Sequence, residues 1–203
     1  MINTIARIAE FLKTPGALVA LMSWSEFSLA AFKIITRAKL TGVAPKTVID
    51  VGANVGQFSV ASSHLFEGAR VYPIEPDPRI AKILQKNVHL PIAENVHVTA
   101  IGDSVGTVSF NVNHDPQVSS LLPLGVDRIK SYPSSKVVEK IAVSVTTLDV
   151  LFNNRKLEEP IFLKIDVQGF EDRVIAGAAV FLASDASAFL TGQVLMVNGG
   201  VVM

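Results

Sequence analysis

Apolar residues in the first forty positions recur at helical intervals: Ile5, Ile8, Ala9 and Leu12 share a face until Pro15 and Gly16 break the pattern. Residues 17–35 read as a second apolar helix containing Trp24, Phe27 and Phe32. Glu26 near its middle and the serines around it argue against a membrane span. The expectation is a leading helix over a sheet, or a peripheral lipid contact. From Thr47 onward the pattern changes to short strand-like runs separated by amphipathic stretches. Thr47, Val48 and Ile49 form the first run, and Gln57 to Leu65 reads as a helix. Val71 to Ile74 is a second strand, with a helix from Arg79 to Asn87. Val96, Val98 and Ala100 alternate as a third strand, and Val108, Phe110 and Val112 define another from Gly106 to Asn113. Further strands are expected over residues 141–145 and 160–167, with a short helix opening at the Thr146-Thr147 cap. This alternation predicts an α/β fold with a doubly wound, Rossmann-like sheet. Residues 1–46 form a helical extension, and 47–203 form one domain.

Composition narrows the function classes. Of 203 residues, 49% are hydrophobic, so the chain can bury a proper core. Its formal net charge is zero, which gives no electrostatic case for nucleic acid or an anionic membrane. With no cysteine, disulfides and thiolate metal sites are excluded. His64, His89, His97 and His114 lack ligand spacing, so no metal is expected. No charged leader with a small-residue cleavage site is visible, and the expected location is cytoplasmic.

The candidate chemistry gathers after the first strand. Asp50, Gly52, Asn54 and Gly56 spell D-x-G-x-N-x-G between strand and helix. A dinucleotide turn reads G-x-G-x-x-G and sets a pyrophosphate on the helix N-terminus. A carboxylate before the turn would repel a pyrophosphate but suits a ligand carrying an ammonium and a sulfonium. S-adenosyl-L-methionine carries both charges and no phosphate. The motif resembles the first motif of class I methyltransferases, which implies that these residues hold the methionine end of that cofactor. Glu75, ending the second strand, stands where an acidic side chain would accept hydrogen bonds from ribose hydroxyls. The same resemblance implies that the segment 101–103 borders the adenine, with Asp103 meeting its exocyclic amine or serving as an ordinary turn residue.

Six segments in order sharpen the resemblance: VIDVGANVGQFS, IEPDP, AIGDSVGTVSF, SSL, TTLD and FLKIDVQGFE. From about Thr47 to Gly177 the chain resembles the FkbM family of methyltransferases. That implies S-adenosyl-L-methionine-dependent methyl transfer, usually to a hydroxyl oxygen of a sugar or other small natural product. Asp166 is the first candidate for the base that takes the hydroxyl proton, with orientation of its loop as the alternative. Glu171 is the second, although an acid in a first helical turn is favoured by the helix dipole alone. Gln168 either orients the acceptor or caps the helix, and Ser119 and Ser120 are candidate acceptor contacts in a polar loop. Asp50 and Asp166 become neighbours if their strands pair.

The end of the chain departs from that family. Residues 180–200 resemble the C-terminal segment of short-chain dehydrogenases, including its F-L-T-G-Q turn. The 180–203 tail is therefore expected to be atypical, with residues 193–197 as a fifth strand and the sheet truncated at its C-terminal edge. An uncovered edge invites self-association. The tail raises a rival, an NAD(P)-dependent dehydrogenase, for which Tyr132 and Lys136 have the required spacing with Ser119 upstream. Pro133 disfavours the helix that pair needs, and residues 1–46 lack a glycine-rich dinucleotide turn. A protein that binds S-adenosyl-L-methionine without turnover is the third reading.

Overall fold

The computed structural model describes residues 16, 28–88, 92–114, 119, 121, 137–183 and 195–197. Its centre is β1 (Thr47–Val51), buried at all five positions and flanked in parallel by β2 (Arg70–Ile74) and β6 (Ile161–Ile165). A strand so placed has no solvent face, which is why four of its five residues are β-branched rather than alternating with polar ones. β7 (Leu195–Val197) pairs in parallel with the far side of β6, giving the order β2-β1-β6-β7. The expected strand from the 193–197 segment is thus present, as the neighbour of β6.

Alternate residues face opposite helical layers. Val48 and Phe162 meet Phe32 and Ile35 of α1 (Leu29–Leu40), Phe58 and Leu65 of α2 (Gln57–Leu65), and Leu84 of α3 (Pro78–Asn87). Ile49, Val51, Leu163 and Ile165 face the other way, onto Leu148 and Phe152 of α4 (Leu148–Phe152) and Val174 and Phe181 of α5 (Glu171–Ala183). Helices on both faces of a parallel sheet make the doubly wound α/β architecture. Local signals set the helix starts: the side chains of Ser28, Asp77 and Thr147 accept backbone N–H bonds as N-caps of α1, α3 and α4. Lys39 Nζ donates to Leu65 O at 2.7 Å and ties the end of α1 to the end of α2.

Two expectations need correcting. The leading helix continues past Ile35 to Leu40, where Thr41 and Gly42 close it by bonding back to Ala38 O and Lys39 O. The earlier helix and residues 17–27 lie outside the described residues. The third strand is not a strand from Val96. A 3₁₀ turn at Ile92–Asn95 leads to a single bridge between His97 and Ile74. Only Ala100–Ile101 (β3) is extended, and it pairs with β5 (Val137–Thr146) rather than β2. Alternation of Val96, Val98 and Ala100 marks a crossover, with Val98 46% exposed. β5 also pairs antiparallel with β4 (Gly106–Asn113), so β3-β5-β4 is a separate three-stranded sheet. β5 runs well beyond the expected 141–145 because this pairing satisfies its backbone along the whole length of β4.

Candidate active site

The carboxyl ends of β1, β2 and β6 open onto a cavity of about 580 Å³, within the range of roughly 300–1,000 Å³ usual for small-molecule sites. Its floor is formed by Gly52, Ala53, Asn54 and Gln57 of the turn after β1, with Gly56 off the lining, and its walls include Glu75, Ile101, Asp166 and Gln168. Ser119 and Leu121 close one side, and Leu29, Ala31 and Ile34 of α1 close another.

The turn after β1 is shaped by its neighbours. Gly52 has φ +75°, and a Cβ there would lie 1.9 Å from Asp166 O. Gly56, at φ +101°, would drive a Cβ to 2.7 Å from Leu84 Cδ1 in α3. Glycine at these places lets the end of β6 and α3 close on the turn. The five backbone amides from Gly52 to Gly56 are already engaged. Gly52 N and Ala53 N donate to Ile74 O, Asn54 N to Glu75 Oε2 at 2.9 Å, Val55 N to Asn54 Oδ1, and Gly56 N to Ala53 O. Those five amides therefore offer no ring of free N–H groups to an anion. Among the described residues, the two non-glycine residues with left-handed backbone are Asn54 (φ 49°) and Gln168 (φ 54°), and both line the cavity. Backbone strain of this kind collects at functional sites.

Asp50 is fully buried and does not line the cavity. Its Oδ2 accepts a hydrogen bond from Ser59 Oγ at 2.6 Å, and its Oδ1 lies 2.9 Å from Lys164 Nζ. This second contact is an ion pair that falls short of hydrogen-bond alignment. The β1–β6 pairing sets Asp50 opposite Lys164, so Asp166 sits one strand pleat further on and is not Asp50's direct partner. Lys164 also donates to Gly52 O at 2.8 Å and Val51 O at 3.4 Å, and it lies 3.9 Å from Asp166 Oδ2. Sequence reading passed over Lys164, although a charge inside the apolar run PIFLKIDV was a signal, because a buried lysine needs a partner.

Glu75 is buried at the cavity wall, where Oε2 accepts from Asn54 N and Oε1 from Asp77 N at 3.0 Å. Burial pushes its carboxyl up to about 7, against the downward pull of those two amides. Asp166 faces the cavity, with Gln168 Nε2 3.4 Å from its Oδ1. Ser119 Oγ accepts from Asn113 N at 3.0 Å and lines the same space.

Other candidates fall elsewhere. Asp103 lies off the cavity and pairs with Arg173 at 2.6 Å, a hydrogen bond that holds its carboxyl below the usual range. Neighbouring Ile101 does line the cavity. Glu171 is buried at the start of α5, away from the cavity lining. Ser120, Tyr132 and Lys136 lie outside the described residues. Among the described residues there is no cluster able to hold a metal ion, and no helix long and apolar enough to cross a membrane.

Comparison with known proteins gives this geometry a family. No curated protein matches the chain. Among solved structures, the methyltransferase FkbM of Methylobacillus flagellatus KT is 19% identical, covering 68% of this chain and 30% of its own, with a TM-score of 0.43. A candidate transferase of Pyrococcus horikoshii is 29% identical over 35% of this chain and 27% of its own, with a TM-score of 0.27. A candidate S-adenosylmethionine-dependent methyltransferase of Listeria monocytogenes is 18% identical over 53% of this chain and 73% of its own, with a TM-score of 0.24. The chain thus spans less than a third of the length of the first two. The family model of the methyltransferase FkbM domain matches residues 50–194, from the buried aspartate of β1 to just before β7. This chain belongs to the FkbM methyltransferase family.

Proposed function

We propose that this protein transfers a methyl group from S-adenosyl-L-methionine to a hydroxyl oxygen of a small molecule, a sugar or other natural product. One observation carries the reading. Glu75 and Asp166 face a single cavity whose glycine turn has every amide from Gly52 to Gly56 bonded internally. A pyrophosphate there would meet the Asp166 carboxylate and find the amides from Gly52 to Gly56 already bonded, whereas the sulfonium of a methyl donor meets complementary charge. Against a dinucleotide cofactor, this favours methyl transfer over hydride transfer.

The residues fit that donor. The turn at Gly52, Ala53 and Asn54 gives the methionine portion a close backbone floor, while Gly56, off the cavity lining, lets α3 pack against the turn. Glu75 uses two acceptor sites on Asn54 N and Asp77 N, and its remaining lone pairs suit ribose hydroxyls. Ile101 provides an apolar border for the adenine, while the Asp103–Arg173 pair steadies the strand end beside it. Asp50 supports the turn from beneath. When bound, the donor supplies a methyl group already activated on its sulfonium. Asp166 takes the proton from the acceptor hydroxyl as that oxygen becomes nucleophilic. Gln168 and Ser119 orient the acceptor, which lowers the barrier by alignment. A cytoplasmic location belongs to the same proposal.

Titration calorimetry on the full chain tests the cofactor assignment. S-adenosyl-L-methionine should bind saturably and NADH should give no heat; NADH binding without S-adenosyl-L-methionine binding overturns it.

A further inference from the structure

We propose that Lys164 is the positioning residue of the cofactor turn, and that Asp50 acts through it rather than on the ligand. The inference rests on the methyl-donor reading of the cavity. Lys164 projects from β6 onto the α2 side of the sheet, its side chain 12% exposed at the cavity wall. Its ammonium holds three oxygens of the neighbouring strand end together: Asp50 Oδ1 at 2.9 Å, Gly52 O at 2.8 Å and Val51 O at 3.4 Å. Two of these are main-chain carbonyls at the point where β1 becomes the turn. Phe58, in the first turn of α2, lies beneath the same ammonium, with its ring centroid 5.8 Å from Nζ.

The arrangement explains why a buried carboxylate stands below a turn that it never reaches. Asp50 is fully buried, so its charge requires a partner. Lys164 supplies that partner and spends its other donors on the carbonyls. A lysine with only carbonyls to bind would leave a cation poorly compensated in the wall of a site that takes a cationic ligand. Asp50 removes that penalty, and Ser59 Oγ fixes its second oxygen at 2.6 Å. The acidic side chains left facing the ligand are then Asp166 and Glu75. Lys164 also stands 3.9 Å from Asp166 Oδ2, so one side chain sets the spacing between the donor floor and the proposed base.

The test compares Lys164→Met, Lys164→Arg and the charge-balanced pair Asp50→Asn/Lys164→Met in the full chain. Three readouts are needed: thermal midpoint, S-adenosyl-L-methionine dissociation constant, and hydrogen exchange of the amides from Gly52 to Gly56. Lys164→Met should lower the midpoint, and the double variant should recover most of it by removing the stranded carboxylate. Both should still bind S-adenosyl-L-methionine at least tenfold more weakly and exchange the turn amides faster than wild type. Lys164→Arg should recover part of the affinity. If the double variant regains wild-type affinity and wild-type exchange, Lys164 merely neutralises Asp50 and the proposal falls. If wild type itself binds no S-adenosyl-L-methionine, the methyl-donor reading fails instead. The exchange rates then still decide whether Lys164 holds the turn.

Discussion

Lys164 Nζ lies 2.9 Å from Asp50 Oδ1, across a strand register that sets the two residues side by side beneath the glycine turn. This pair occupies the same face of the sheet as Val48 and Phe162, so it stands at the upper edge of the apolar layer under α1 and α2. Removing one partner leaves an uncompensated charge in that layer. Asp50→Ala should therefore cost about 3 kcal/mol, the lower end for a broken buried pair, because Lys164 has a path to solvent through the cavity. Asp50→Asn keeps the contact with Ser59 and should cost less. Urea unfolding of the two variants measures the difference.

Glu75 predicts a pH dependence with a definite sign. Its carboxyl is raised to about 7 in the folded chain from an ordinary value of 4.5, so between those limits the native state holds the proton more tightly than the unfolded state. The stability that Glu75 contributes is fully present below pH 4.5 and is lost as pH rises through 7. Relative to Glu75→Gln, wild type should lose on the order of 3 kcal/mol across this window. Affinity should run the other way, because the ionised carboxylate is the stronger acceptor for Asn54 N and for ribose hydroxyls. Unfolding curves and binding titrations of both proteins at pH 5 and pH 8 check the two trends.

Gly52→Ala should damage the site at its root. The new methyl group would meet Asp166 O at 1.9 Å in a backbone conformation that alanine adopts poorly. A loss of more than about 1 kcal/mol is expected, with weakened S-adenosyl-L-methionine binding. By contrast, Gly68→Ala has no atom within 4 Å of its new Cβ and should leave binding intact while bearing only the strain of its φ of +78°. Unfolding curves of the two variants separate the cost of lost space from the cost of backbone strain, and binding titrations check that the loss of affinity is confined to Gly52→Ala.

Asp166→Asn should retain the donor and lose the reaction. The amide keeps the side chain's shape beside Gln168 but cannot accept the hydroxyl proton. Transfer to any acceptor that wild type methylates should fall about 100-fold or more, with the S-adenosyl-L-methionine dissociation constant changed little. Single-turnover transfer of a labelled methyl group separates the two effects.

Much of this was readable in the chain itself. Helix α2 begins and ends where the sequence places it because Gly56 opens it in a left-handed conformation and Phe66 leaves the helical pattern. β1 and β6 announced themselves as apolar runs ending in Asp50 and Asp166, and their pairing brings both ends to one cavity edge as the sheet rule requires. Register was not readable. Nothing in either run says that Asp50 meets Lys164 rather than Asp166, because register follows from how whole faces pack. The segment around Val98 departs from the expected strand for a related reason: alternation shows which residues face inward, but not whether a partner strand lies alongside. Asp103 and Glu171 matched motif positions, yet neither lines the cavity: Asp103 pairs with Arg173, and Glu171 is buried at the start of α5.

Amide chemical shifts of the full chain during an S-adenosyl-L-methionine titration test the site most directly. The amides of Asn54, Glu75, Ile101 and Gln168 should move together along one saturable curve, since all four residues line the same cavity. Shifts that leave these four unmoved, or no saturable shift at all, would contradict a methyl-donor site at the carboxyl ends of β1, β2 and β6.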